Sequence, residues 1–223
     1  MVLAFLLCHR DSLKAQPSEQ VMLKYEAVIG ALGQKDWNQL DKNATKLLKF
    51  IKDKEYDDLI SVVSYMHIYA LGGMMNEAGL SKKDAQKKAK VYKGKTLIMP
   101  GVEFRDKCYN CLFPMEEDKK KLFRTSSNHD NTSINAFEYY EINDALDDDF
   151  IKMHSGKIMK IKARLRDIST EGNMLPRFKL IFDQVEYYFL EGDEQEIDKQ
   201  ETEESSSPFT DSLYTDFKYG ISN

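Results

Sequence analysis

At 223 residues, 42% hydrophobic and 31% charged, the chain is long enough to bury a sizeable core, and its composition excludes both a disordered polymer and a disulfide-stapled miniature domain. A formal net charge of −5 sets up no global field toward nucleic acid or an anionic membrane, so binding of that kind has to come from a local patch. Three cysteines, Cys8, Cys108 and Cys111, are too few for a disulfide scaffold and leave the redox compartment open.

The apolar run Val2 to Leu7, ending at Cys8, resembles the last part of a secretory signal peptide, which makes residues 1–16 a candidate signal remnant and the protein periplasmic or otherwise exported. No basic stretch precedes the run, and Leu6-Leu7-Cys8 lacks the small residue of a lipoprotein cleavage box. The alternative is a cytoplasmic chain with a buried N-terminal turn. After residue 16 no run approaches the ~18 apolar residues of a membrane span.

Residues 17–92 carry apolar side chains at helical spacing. The first helix starts after Pro17-Ser18 and ends at Gly33. The second runs from Trp37 through Leu40, Ala44, Leu47 and Leu48 to Ile51. A third carries Leu59, Val62, Val63, Met66 and Tyr69 and is expected to stop at Gly72-Gly73, leaving Met74 and Met75 as a flexible surface worth testing. A fourth, rich in lysine, opens at Ser81 with Asp84 three positions on, a capping-box pattern. Short connections imply antiparallel neighbours, without the clean 34-residue period of a helical repeat.

From residue 93 to 190 the period changes to two. Strands are predicted over 95–104, 109–113, 122–126, 134–142, 158–168 and 178–190, with one helix from Asn143 to about His154. Residues 191–208 hold eight acidic residues, one lysine and Ser205-Ser206-Ser207, a composition that cannot bury enough surface to offset the entropy of ordering. The aromatic tail 209–223 brings Phe209, Leu213, Tyr214, Phe217 and Tyr219, able to dock on the body or on a partner.

The strongest chemical pattern is Met159 to Arg166. Met159, Ile161, Ala163 and Leu165 alternate with Lys160, Lys162, Arg164 and Arg166, placing four cations on one strand face. Like charges so close need solvent, acidic neighbours or an anionic ligand. Glu138, Glu141 and Glu186 are the candidate acidic neighbours. Tyr139 and Tyr187, each in a tyrosine pair, are candidate stacking platforms for single-stranded nucleic acid beside that face.

Cys108-Tyr109-Asn110-Cys111 is a C-x-x-C without a second ligand pair for zinc, and it is read as a structural disulfide if the protein is exported or as two inert thiols if not. His67, inside an apolar helix, reads as a satisfied core histidine. His129 and Asp130 sit in a serine- and asparagine-rich loop, where near neighbours rarely hold the geometry of a hydrolytic triad. Asp147-Asp148-Asp149 suits a helix start. No residue pattern calls for a metal, a cofactor or a catalytic assignment.

The order of strands, the helix at 143–154 and the strand opening His154-Ser155-Gly156-Lys157 resemble an oligonucleotide/oligosaccharide-binding (OB) fold of the tRNA-anticodon-like type found in small exported bacterial proteins. The resemblance spans about residues 93–190, and Lys93-Gly94-Lys95 opens an earlier strand in the same way. It implies a small β-barrel carrying one helix, so that with the helical spacing of residues 17–92 the chain is expected to be α+β, a helical N-terminal subdomain followed by that barrel. The functional expectation is a non-catalytic binding protein whose partner is another protein or macromolecule. Nucleic-acid binding through residues 160–166 is the alternative if the chain stays in the cytosol, and a hydrolase is the remote one.

Overall fold

A computed structural model describes residues 18–51, 56–107, 111–117, 119–128, 134–143 and 147–190. The candidate signal remnant, Cys108, His129, Asp130, the acidic segment and the aromatic tail lie outside the described residues.

Local chemistry sets the helix starts. Helix α1 (Glu19–Gly33) follows Ser18, and α2 (Trp37–Phe50) is capped by Asp36, whose carboxylate accepts from the Gln39 amide at 3.0 Å. Next come α3 (Asp57–Glu77), α4 (Lys82–Ala89) and a 3-10 turn at Lys90–Tyr92. The Ser81 hydroxyl caps α4, accepting from the Asp84 amide at 3.1 Å. Trp37 Nε1 donates to Glu77 at 2.7 Å, tying the start of α2 to the end of α3.

The expected stop at Gly72-Gly73 does not occur. Helix α3 runs on to Glu77, and the two glycines are sites of close packing. A Cβ at Gly72 would lie 2.8 Å from Asn135, and one at Gly73 would run into the Trp37 ring. Met74 and Met75 are buried, so the surface expected there is core. A helix apolar on all sides is a helix enclosed on all sides, and α3 is buried continuously from Ser61 to Met75.

The strands are β1 (Thr96–Glu103), β2 (Phe113–Glu117), β3 (Lys120–Asn128), β4 (Ile134–Ile142), β5 (Ile158–Glu171) and β6 (Arg177–Phe189), with α5 (Asp148–His154) between β4 and β5. They form one mixed sheet in the order β1-β5-β6-β4-β3-β2, in which β4 and β6 are parallel and every other pair antiparallel. The chain is therefore α+β, and its sheet is open, with β1 and β2 at the edges.

Two elements differ from expectation. Strand β2 lies at 113–117, where Pro114 is tolerated because an edge strand can forgo one ladder donor. Its Glu116 and Glu117 pair in register with Lys121 and Lys120. Helix α5 begins only at Asp148, where the Asp147 carboxylate accepts from the Phe150 amide at 2.8 Å.

One core joins α1 to β6. The sheet face carrying Phe123, Ala136, Tyr140, Phe178, Leu180 and Phe182 is buried, with α3 against it. Towards α5 the interior is aromatic: the Phe104 ring meets Phe123, Phe150 and Phe189 edge-on at 5.6–5.9 Å, and Tyr187 meets Phe123 at 5.3 Å.

Candidate functional site

Strand alternation divides β4 between two environments. Ala136, Glu138, Tyr140 and Ile142 are buried, while Phe137, Tyr139 and Glu141 turn to the opposite face and are half-exposed. Cross-strand register then fixes their neighbours. Tyr139 stands beside Arg124 of β3 and Ile181 of β6, Phe137 beside Ser126 and Lys179, and Arg124 in turn beside Phe113 of β2.

On this open face cations and rings interleave. The Arg124 guanidinium lies 4.7 Å from the Phe137 ring centroid, 5.6 Å from Tyr139 and 5.8 Å from Phe113. Arg177 lies over Phe137 at 4.6 Å, and Lys179 over Tyr139 at 4.9 Å. A cation over a ring face is held by the ring's quadrupole and keeps its full charge. Arg177 also meets Glu171 at 2.9 Å, whereas Arg124 and Lys179 have no carboxylate partner among the described residues. The arrangement presents flat apolar faces with positive charge held between them.

The basic strand is differently placed. Met159, Ile161, Ala163 and Leu165 are buried as the alternation requires. Lys162 pairs with Asp58 at 3.2 Å, Arg164 holds Asp183 in a two-pronged pair at 2.8 Å, and Arg166 bonds Glu141, which also accepts from Lys120 at 2.8 Å. The Asp183 carboxyl is held below its usual range by Arg164, and Lys120 and Arg166 together hold Glu141 down against the opposing effect of burial. Lys160 is buried. Tyr139 belongs to the open face, while Tyr187 turns inward to the aromatic cluster and leaves Tyr188 exposed.

Two buried polar clusters account for the titratable groups inside. His67 is bonded on both sides. Its Nε2 donates to Asp41 at 2.6 Å, which leaves Nδ1 to accept from the Tyr92 hydroxyl, and Lys88 holds the other Asp41 oxygen at 3.0 Å. The His67 bond, with Lys88 adding to it, lowers the Asp41 carboxyl to about 2 despite its burial, while burial and the Asp41 charge push Tyr92 up. This pins α2, α3 and the turn after α4 together and leaves His67 no free nitrogen.

Glu138 lies between α3 and the sheet. Its carboxyl accepts from Tyr65 at 2.5 Å, from Ser127 at 2.6 Å and from Tyr140. Burial raises its pKa although all three hydroxyls oppose that, and burial raises both tyrosines as well. With 2% exposure Glu138 is closed to any substrate. It supplies a satisfied polar contact on the closed face rather than a general acid or base.

Cys111 is buried and disulfide-bonded, and the cysteine it joins lies outside the described residues, so a Cys108–Cys111 bond is a proposal. His154 stacks on Phe189 at 4.0 Å, and burial lowers its pKa. Among the described residues no three metal-ligating side chains gather, and no helix is long and apolar enough to cross a membrane.

Arg124, Phe137, Arg177 and Lys179 escape a reading of the sequence because they come from three strands, and only register brings them together. The visible signal was the alternation of β4 itself. No protein-family model, curated protein or solved structure matches the chain.

Proposed function

We propose that this is a non-catalytic binding protein whose ligand surface is the open face of β3, β4 and β6, and that the ligand is an anionic polymer able to lay flat rings on Phe137 and Tyr139. The carrying observation is Arg124, set among three rings with no carboxylate partner among the described residues. Stacking against aromatic side chains with cations between them is the physical recipe for holding an extended oligonucleotide. An acidic oligosaccharide offers related chemistry.

We further propose that the sheet is an OB barrel opened along one seam. Setting aside the short β2, α5 stands between the third and fourth of five long strands. The chain passes through α5 to pair β5 with β1 rather than with β4, in keeping with a partly open Greek-key barrel. The second and third strands of that scheme are β3 and β4, whose face carries ligands in OB proteins. The Gly-Lys openings have a backbone reason, since Gly94 and Gly156 have φ of +84° and +88°.

The test is a titration of a short labelled single-stranded oligonucleotide, and separately of an acidic oligosaccharide, into the full chain at rising salt. Binding should weaken with a log–log slope of about −0.7 per phosphate neutralised, hence roughly −1.4 for Arg124 and Lys179, the two cations of this face without a carboxylate partner among the described residues. Binding of the oligonucleotide identifies stacked bases as the rings, and binding of the saccharide alone identifies sugars. Failure of both at low salt would remove the open face as a polyanion site. Export belongs to the same reading: an intact mass lacking about the first 15 residues would place the protein outside the cytosol and favour the saccharide.

A further inference from the structure

The turn between β5 and β6 meets the start of α4 at one corner of the molecule. It is closed tightly, since Gly172 has φ of +75° and a Cβ there would lie 2.3 Å from the Leu175 carbonyl oxygen. Lys82 of α4 reaches across to donate to the Gly172 carbonyl at 3.0 Å and to Asn173 Oδ1 at 3.3 Å, and Glu171 meets Arg177 across the base of the turn at 2.9 Å. On this braced turn Met174 is 94% exposed and Leu175 62%. Apolar side chains scattered singly over a surface need no reason, but these two are adjacent and held out from the body.

Helix α4 sets charge beside them. Its Ala85 and Ala89 are buried, and Gln86 bonds the Ile168 carbonyl of β5, so Lys82 and Gln86 mark its β5 side. At about 100° per residue, Lys90, Lys83 and Lys87 follow next around the circumference, within an arc of roughly 60°. Asp84 and Lys88 fall on the far flank, where Lys88 meets Asp41 of α2. Lys83, Lys87 and Lys90 are exposed and have no carboxylate partner among the described residues. The corner therefore offers an apolar tip with a stripe of unpaired lysines along its flank.

We propose that this corner docks on an anionic lipid bilayer, with Met174 and Leu175 entering the headgroup boundary and Lys83, Lys87 and Lys90 lying over the lipid anions. The helix itself does not enter, because its small apolar side is already filled against the body; it supplies charge while the turn supplies apolar surface. Long lysine stems suit that role, since the ammonium stays in water as the stem lies along the boundary. Nucleic acid fits this corner less well, for Met174 and Leu175 bring no flat ring on which a base could stack.

Co-sedimentation of the full chain at low salt, with vesicles of phosphatidylcholine alone and of equimolar phosphatidylcholine and phosphatidylserine, tests this. Binding is expected to the anionic vesicles only, weakened roughly five-fold by each of Lys83→Gln, Lys87→Gln and Lys90→Gln. The double variant Met174→Ser, Leu175→Ser should weaken it by at least about ten-fold. Because these side chains face solvent, each variant should keep the unfolding midpoint of the natural chain. In Met174→Trp, the anionic vesicles should shift the new tryptophan's emission to the blue, as Trp37 is already buried. Absence of binding to anionic vesicles would overturn the proposal and leave oligonucleotide binding by the open face untouched. Vesicle binding that survives the lysine and turn variants but falls in Arg124→Ala would overturn it too, as would lysine variants that lose oligonucleotide affinity in a chain that ignores vesicles.

Discussion

On β4, Tyr140 is fully buried and stacked on Phe182 at 4.8 Å, while its neighbour Tyr139 is half-exposed and lies under the Lys179 ammonium. The same side chain does different work one residue apart. Across the sheet the division repeats among the cations: Arg164 is committed to Asp183, but Arg124 is held only by rings. A cation neutralised by a carboxylate has little charge left to offer, whereas one resting on rings can still attract an anion. Partner type, not exposure, separates the structural arginines from those available to a ligand.

That contrast can be broken in several places. The largest effect belongs to the closed face. Tyr140→Ala should destabilise the protein by about 3–5 kcal/mol, because it opens a cavity beside Phe182 and takes one donor from Glu138. Tyr139→Ala should cost less than about 1 kcal/mol, as a partly exposed position ordinarily does. Denaturant unfolding of both variants measures the difference, and equal losses would erase the distinction between the faces.

The buried carboxyls come next, and they respond to pH in opposite directions. Glu138 has its pKa raised above 4.5 by burial. Its contribution is therefore fully present below the ordinary glutamate value and is lost as pH rises through the folded value. Glu138→Gln should remove that fall, so that unfolding free energy measured upward from pH 4.5 declines less than in the natural chain. Asp41 is lowered from 3.8 to about 2, so its contribution is present above 3.8 and lost as pH falls toward 2. Asp41→Asn should flatten stability across that acid window while lowering it at neutral pH, where His67 and Lys88 lose an ionised partner. A natural chain whose stability did not change between pH 4 and 2 would contradict the assignment.

The smallest effect is expected at the basic strand. Arg164→Ala removes a surface pair and should cost no more than about 1 kcal/mol, detectable as a small shift in the unfolding midpoint.

Much of the scaffold was legible in the sequence because its periods are clean. The alternation from Met159 to Leu165 put those residues in the core, and β4 was placed at its observed limits, residues 134–142. Ser81 with Asp84 marked the start of α4. What misled was glycine: Gly72-Gly73 read as a break when close packing on Asn135 and Trp37 required it. Strand β2 was misplaced because Pro114 and two glutamates carry no strand signal, and its support is the facing Lys120 and Lys121.

The site was less legible still. Four cations on one strand are conspicuous, and Glu141 was among the acidic neighbours expected for them, but the carboxylates that hold Lys162 and Arg164 come from positions 58 and 183, which were not. Arg124 and Lys179 look unremarkable as isolated letters and become a cluster only through the β3-β4-β6 register. Sequence periodicity reports which face a side chain takes; it does not report what stands opposite.

The most direct test of the account is a paired oligonucleotide titration of Arg124→Ala and Arg164→Ala at one low salt concentration. The account predicts that Arg124→Ala weakens binding by about ten-fold, as loss of a phosphate contact and part of a stacking platform should, while Arg164→Ala stays within roughly two-fold of the natural chain because its charge is already committed to Asp183. Equal losses, or a larger loss at Arg164, would contradict it and return the ligand site to the basic strand.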